Sequence, residues 1–404
     1  STPKPSSAAS DVYKRQASPR SRTPGCSLEC NVTFKTSSLA ARETGARPTA
    51  RDVAALAGVS VGTVSRVVNG AVSVNAQVRD RVTSAIATLG WRPSIVAQNM
   101  RGRATRMIGF IFPDLDNPLF SSMIKGAEDV LTRAGYMLIV GSSNGQSERE
   151  MALIDLFGQR QADGLIFTIE QESHPAVQKC MAQARFPIVM LERDGTPAAT
   201  VSAGADHFQG TLQATRHLIE LGHRRIALVS GGRDNRVGRA RLAGFRQAHE
   251  QAGIAVDDSL VQIDSGTAGN DWGLRKTQWL LAQADAPTAV MALGRHLLKG
   301  VLVACKRQNI RIPQDLSVVT SNDSDLAELA EPAISVIRYS TYDLGRAAAE
   351  LLLDQLAAAD PASAPSRTEI PTEFVLRASC AAPPVHARAG APVSYTHLTL
   401  PTKA

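Results

Sequence analysis

From Met107 onward the sequence repeats one texture: a run of four or five apolar residues, then a longer stretch with helical spacing. The runs fall at 108–112, 137–140, 164–168, 188–191, 226–230, 289–293 and 316–320. Short apolar runs fit strands buried on both faces, and strands alternating with helices fit parallel sheets covered on both sides. Seven such strands over about 270 residues exceed one compact mononucleotide-type unit, so the pattern predicts two α/β lobes.

The segment before Met107 has a different character. Between Ala46 and Arg106 stand nine arginines (Arg47, Arg51, Arg66, Arg79, Arg81, Arg92, Arg101, Arg103 and Arg106) against Asp52 and Asp80, a net +7. From Met107 to Ala381 the balance is 26 basic to 32 acidic residues, or −6. A small basic module joined to a mildly acidic body points to a polyanionic partner for the module.

Inside the module, "DVAALAGVSVGTVSRVVNG" (Asp52 to Gly70) holds two short apolar stripes broken by Gly58-Val59-Ser60. Thr49 reads as an N-cap with Asp52 at N3, and Val53, Ala54, Leu56 and Ala57 form the first stripe. Gly58 ends that helix, and Ser60 caps the next, whose inward side is Val64, Val67 and Val68. Asn75 caps a third helix carrying Val78, Val82, Ile86 and Leu89, closed by Gly90. Two short helices on a glycine turn, the second exposing hydroxyls, fit a DNA-binding helix-turn-helix. Hydroxyls and backbone N–H groups at the second helix suit phosphate oxygens, and Arg66 can reach a guanine edge bidentately. A short, small-residue and basic helical patch, 94–101, follows Pro93.

Both ends read as foreign. "DVYKRQ" (Asp11 to Gln16) translates the DNA word GATGTGTATAAGAGACAG, and "VSYTH" within "VSYTHLTLPT" (Val393 to Thr402) translates its reverse complement. We therefore expect 1–45 and 382–404 to be adaptor-derived or uncertain flanks. The remaining divisions are a DNA-binding domain at 46–92, a hinge helix and linker at 93–106, and a two-lobed domain for ligand binding and dimerisation at 107–381.

The wording of the module is more specific than its periodicity. "TARDVAALAGVSVGTVSRVVNG" closely resembles the N-terminal signature of the lac repressor family of bacterial transcription regulators. The likeness continues through "VRDRVTSAIATLGWRPSIVAQNMRGRATRMIGFIFPD", "FQGTLQATRHLIELGHRRIALVSG", "RARLAGF", "RIPQDLSVV" and "LGRAAAELLLDQL". It covers Pro48 to about Cys380. The resemblance implies an all-α helix-turn-helix domain followed by a two-lobed α/β domain like periplasmic binding proteins. It implies a sequence-specific regulator, read as a repressor, that binds palindromic double-stranded operator DNA as a homodimer, with pairing into tetramers left open. Its operator affinity answers to a small effector.

Carried onto this chain, the resemblance places Val61, Gly62 and Arg66 at base-reading positions, and Thr49, Ser60, Thr63, Ser65 and Asn69 at or near the DNA backbone. With two small residues at reading positions, base choice leans on Arg66 and on the hinge. There Ala97 lets two hinge helices approach, and Met100 stands where the family's minor-groove lever is usually leucine; an apolar wedge of this kind kinks DNA. For the effector, the loop "PDLDNPLF" offers Asp116 and Asn117 for hydrogen bonding and Phe120 for stacking. Arg193, Arg241 and Trp272 match cleft positions of the family. Leu293-Gly294-Arg295 and Thr320-Ser321-Asn322-Asp323 depart from its usual wording, and Asn322 joins the candidate site. Arg193, Arg241 and Arg295 together would make bidentate pairing with carboxylate or phosphate possible, and Arg295 reverses a charge at the rim, so a sugar acid or phosphorylated sugar is expected ahead of a neutral sugar.

Other function classes fit less well. No run of 18 apolar residues suggests a membrane span, and no export signal is legible, so a cytoplasmic location is expected and a transporter's solute-binding protein is not. The five cysteines are scattered, and Cys26 and Cys30 alone make no metal site. The "SGGRDNRVG" stretch lacks the Gly-Lys-Ser/Thr of a phosphate loop, and His223, before a strand, reads as structural. We expect no enzyme activity, cofactor or metal.

Overall fold

The computed structural model describes residues 48–71, 73–92, 104–195, 201–264, 270–358 and 367–384. The chain divides into two units between Pro93 and Ser94, and each is described by itself.

The first unit is three helices: α1 (Ala50–Ala57), α2 (Val61–Val68) and α3 (Ala76–Leu89). Thr49 donates its amide and hydroxyl to the Asp52 carboxylate at 2.8 and 2.7 Å, fixing the start of α1. Gly58 ends α1 at φ 63°, a left-handed turn that glycine adopts without the Cβ penalty. Val53, Ala54, Ala57, Val64, Val82 and Ala85 are buried together, with Val67, Val68, Ile86 and Leu89 packed around them. Leu56, placed in the inward stripe of α1 by its spacing, is instead 51 % exposed. In an eight-residue helix the core face is one residue narrower than the apolar run.

The second unit has two lobes, each a six-stranded sheet. The N-terminal lobe contains β1 (Met107–Phe112), β2 (Met137–Ser142), β3 (Gly164–Phe167), β4 (Ile188–Leu191) and β5 (Val201–Ala205). Helices α4 (Pro118–Arg133), α5 (Ser147–Gln159) and α6 (Pro175–Gln183) connect its first four strands. The C-terminal lobe holds α7 (His207–Glu220), β6 (Ile226–Ser230), α8 (Arg236–Gln251), β7 (Val261–Ile263), α9 (Asn270–Leu281), β8 (Ala289–Leu293), α10 (Arg295–Arg307), β9 (Ser317–Ser321), α11 (Asp325–Glu328) and β10 (Ser335–Arg338). The chain then returns to the N-terminal lobe as α12 (Thr341–Ala357) and the edge strand β11 (Arg367–Ile370), and ends in the C-terminal lobe as β12 (Glu373–Val375).

The sheet orders are β11-β5-β4-β3-β1-β2 and β12-β10-β9-β8-β6-β7. All pairings are parallel except β12 against β10. Strands β3, β4, β5, β6, β8 and β9 are buried along their whole length, as parallel strands covered on both faces must be. The seven predicted strands are all present, within two residues at each end.

The chain crosses between lobes three times, at Asp206, at 339–340 and at 371–372. The crossings are bonded to one another. The Asp206 amide donates to the Ile370 carbonyl at 2.9 Å, and the Thr372 hydroxyl donates to the Asp206 carbonyl at 2.8 Å. His207 meets Tyr339 edge-on with ring centroids 5.4 Å apart.

Candidate functional site

On the first unit, α2 presents the predicted reading positions outward: Val61, Gly62 and Arg66 are exposed, and Thr63, Ser65 and Asn69 are half-buried at its flank. The Ser60 hydroxyl caps the helix, accepting from the Thr63 amide at 3.2 Å, and lies 3.0 Å from the Thr63 hydroxyl. Arg66 folds back along its own helix, Nε donating to the Gly62 carbonyl at 3.4 Å, a weak contact that leaves the guanidinium free to extend. Asn69 donates to the Ser65 hydroxyl at 3.2 Å. Ala97 and Met100 lie outside the described residues.

In the second unit a cavity of about 180 Å³ opens between the lobes, at the carboxyl ends of their strands. This is where open α/β sheets collect ligands, because loops from several strands converge there. Asn117, Phe120, Arg193, Arg241 and Asn322 all line it. Asn117 also caps α4, its Oδ1 accepting from the Leu119 amide at 3.2 Å, which leaves its amide nitrogen and the second lone pair of Oδ1 for a ligand. Phe120 packs on Phe112 with centroids 5.3 Å apart. Two predicted residues are not brought in. Trp272 packs half-buried against the core of the C-terminal lobe, with the Lys276 ammonium 5.9 Å from its ring, and is no part of the cavity wall. The Arg295 side chain lies outside the described residues. Asp116 is exposed beside the cavity, and its neighbour Asp114 lines it instead.

The arginines are tied to the protein. Arg193, buried, donates from Nε to the Ile169 carbonyl at 2.6 Å and from Nη1 to the Glu192 carbonyl at 3.0 Å. Arg241 donates from Nη1 to the Leu293 carbonyl at 2.7 Å and from Nη2 to the Ser321 hydroxyl at 3.4 Å. Each guanidinium has five N–H groups, so donors remain on both.

Of the acceptors, Asn322 was expected from the sequence, whereas Glu192 and Thr168 were not legible in it. Glu192 and Asn322, each one residue beyond a strand, sit at φ 57° and 61°, left-handed positions for residues with a Cβ. Such strain concentrates where geometry serves a ligand. Glu192, Asn322 and Thr168 are lining residues of the cavity, and their Oε1, Oδ1 and Oγ1 atoms are buried without a well-formed hydrogen bond, beside Tyr339 in the case of Glu192 and Asn322. The second Glu192 oxygen lies 2.9 Å from His207 Nε2. Burial disfavours the charged carboxylate, but His207, Arg236 and the Ala205 amide outweigh it and hold Glu192 down at about 2. Burial pushes His207 below the ordinary imidazole value, against the pull of the Glu192 carboxylate beside it. Across the cavity, His296 Nε2 of α10 meets Asp114 of the N-terminal lobe at 3.0 Å. The only signal that could have picked out Glu192 was its place next to Arg193 after an apolar run.

Among the described residues no group of His, Cys, Asp or Glu is placed to hold a metal ion, and no helix is long and apolar enough to cross a membrane.

Comparison with known proteins gives two family matches. Residues 49–94 match the bacterial regulatory proteins of the lacI family, and residues 215–380 match the periplasmic binding protein-like domain. The chain is 32 % identical over 309 residues to the HTH-type transcriptional repressor PurR of Escherichia coli O1:K1 / APEC, covering 76 % of this chain and 90 % of that protein. Among solved structures, the lac repressor dimer bound to operator and an anti-inducer superposes with a TM-score of 0.70 at 26 % identity, over 83 % of this chain and 100 % of that one. A complex of the transcriptional regulator CelR with cellobiose superposes with a TM-score of 0.62 at 30 % identity, over 82 % and 100 %.

Proposed function

This chain belongs to the lacI family of bacterial regulatory proteins, and we propose that it is an operator-binding repressor controlled by a small polyhydroxylated effector held between its two lobes. The observation that carries the effector class is the set of buried acceptors without a well-formed hydrogen bond, Glu192 Oε1, Asn322 Oδ1 and Thr168 Oγ1, on residues around one cavity. An acceptor left bare in a closed site costs about 1–3 kcal/mol, which a ligand donor recovers. A hydroxyl suits the site twice, since it can donate to these oxygens and accept from the N–H groups left on Arg193 and Arg241.

The charges favour a neutral sugar over a sugar acid or phosphorylated sugar. Both described guanidiniums already donate to backbone carbonyls, and the Glu192 carboxylate places a negative charge in the cavity wall. A related regulator, CelR, was captured with cellobiose.

For the DNA-binding domain, 46–92, we assign base reading to Val61, Gly62 and Arg66. Backbone contact falls to Thr49, Ser60, Thr63, Ser65 and Asn69, and the hinge at 93–106 supplies Ala97 and the Met100 wedge. Two copies engage the two halves of a palindrome. Effector and operator then alter each other's affinity by one common factor, as linkage requires.

The test has two arms. Selection from random duplexes should return an inverted repeat. Calorimetry against neutral sugars, sugar acids and sugar phosphates should find a neutral ligand whose affinity falls about tenfold or more in Glu192→Leu and in Asn322→Leu, the cost of one good hydrogen bond to a buried group. Tight binding of acids alone, or a neutral ligand indifferent to both substitutions, would overturn the effector assignment.

A further inference from the structure

Two arginines on the first turn of α8 reach out of the C-terminal lobe and into the N-terminal one. Arg236 is only 7 % exposed. Its Nη2 meets Glu369 at 2.5 Å, its Nη1 donates to the Ala205 carbonyl at 3.1 Å, and Glu192 and Asp194 each stand 3.7 Å away. Its backbone amide donates to Glu172 Oε1 at 2.9 Å. Three residues on, Arg239 Nη2 bridges Glu172 at 2.6 Å and Asp194 at 2.7 Å. All of these partners belong to the N-terminal lobe: Glu172 follows β3, Glu192 and Asp194 follow β4, Ala205 ends β5, and Glu369 lies on β11.

The socket is shaped for its guest. Gly204 faces the Arg236 guanidinium so closely that a Cβ there would collide with it. His296 and Asp114, on other elements, add a second contact between the lobes. Every one of these bonds joins one protein group to another and needs no ligand to form.

We propose that Arg236 and Arg239 bolt the two lobes together in the absence of effector. The chain then rests in a closed form, and a ligand enters by capturing a briefly opened one. The physics lies in the four acids. When the lobes separate, Glu172, Glu192, Asp194 and Glu369 lose the two cations they share; the loss weighs most on Glu172 and Glu192, whose side chains are largely buried, while water screens the half-exposed Asp194 and Glu369. Arg239, half exposed, contributes less than Arg236 because water screens it. Closure is therefore largely met by the protein itself, and a ligand need only add differential affinity for a state already populated. Glu192 joins bolt to cavity, since it is a lining residue and one of its oxygens faces His207 and Arg236. This regulatory meaning rests on reading the cavity as the effector site; the bolt itself does not.

Hydrogen–deuterium exchange on the full chain, with no small molecule added, reads the bolt directly. The Arg236 amide is bonded across the lobes to Glu172 Oε1, and the Asp194 amide, inside the N-terminal lobe, is bonded to that same oxygen at 3.2 Å and so reports whether the arginines hold Glu172 in place. We expect both to exchange about tenfold faster or more in Arg236→Gln and in Gly204→Ala, and measurably faster in Arg239→Gln, as local opening is made easier. Arg246→Gln, on the same helix but paired within its own lobe to Asp258, should leave both rates unchanged. Should Arg236→Gln or Gly204→Ala unfold the domain, as near-ultraviolet circular dichroism would reveal, Arg239→Gln decides, because its side chain is half exposed. Wild-type exchange rates at both amides in the folded variants would overturn the proposal. Because no ligand enters the experiment, a closed chain that binds none of the sugars above would leave the bolt standing and remove only the effector reading.

Discussion

Glu150 carries a carboxyl group into the interior of the N-terminal lobe with none of its surface exposed. One oxygen accepts from the Glu170 amide at 2.9 Å, and the other has no partner. Burial pushes its pKa from 4.5 up to about 7, against the pull of that hydrogen bond and of Arg193. A raised folded-state value means that the fold favours the protonated acid. That stabilisation is complete below about 4.5 and is lost as pH rises through 7. Glu150→Gln keeps an acceptor for Glu170 and removes the charge. Denaturant titration should find it more stable than the wild type by about 2 kcal/mol at pH 8 and no more stable at pH 4. Equal differences at both values would mean that Glu150 does not titrate in this range. At Arg66 the same scale predicts a loss of about 1–3 kcal/mol in operator binding for Arg66→Ala, with relaxed preference at one base position of each half-site. A uniform loss across operator variants in gel-shift titration would reassign Arg66 to a phosphate.

Single residues also show where sequence reading stops. Asn117, Phe120, Arg193, Arg241 and Asn322 were legible because each stands near the end of an apolar run or in a stretch with family wording. Thr168, Glu192, His207 and Tyr339 were not. Their role arises when segments 15 or more residues apart converge, and none carries a local pattern. Trp272 failed for the converse reason: an aromatic residue near the right loop is still free to turn into its own lobe's core.

At the level of elements, the buried strands were readable because both faces demand apolar residues. The five that were missed break that rule. Strand β5 (Val-Ser-Ala-Gly-Ala) is buried but built of small residues, and β7 is three residues long. Strands β11 and β12 are edges, and β11 alternates exposed and half-buried positions. Strand β10 is four residues ending in an exposed Arg338. Helix contacts were equally hidden. Helices α4 and α12 cross where Gly126 faces the Tyr342 carbonyl and Gly345 faces the Met123 carbonyl, with no room for a Cβ on either. Gly345→Ala must push the two backbones apart, and overpacking of this kind costs about 1–3 kcal/mol or more. A lowered thermal midpoint is expected, and an unchanged one would mean that the crossing is slack.

Taken whole, the molecule separates its charge: nine arginines between Ala46 and Arg106, and an acidic body beyond. DNA binding that rests on such a module releases counterions. Four phosphate contacts would cost about tenfold in affinity for each doubling of salt. A nearly flat dependence in fluorescence anisotropy would count against a phosphate-dominated interface. Within the same basic stretch, Met100→Ala should weaken specific operator binding more than binding to random duplex, as expected of a residue that kinks its target; equal losses would make Met100 a packing residue.

The three crossings between the lobes, stitched to each other at Asp206, Ile370 and Thr372, have one more outcome. A protease that nicks any one of them leaves two intact ligatures. Cut once in this way, the domain should still elute from a sizing column as a single particle, and should come apart only in denaturant.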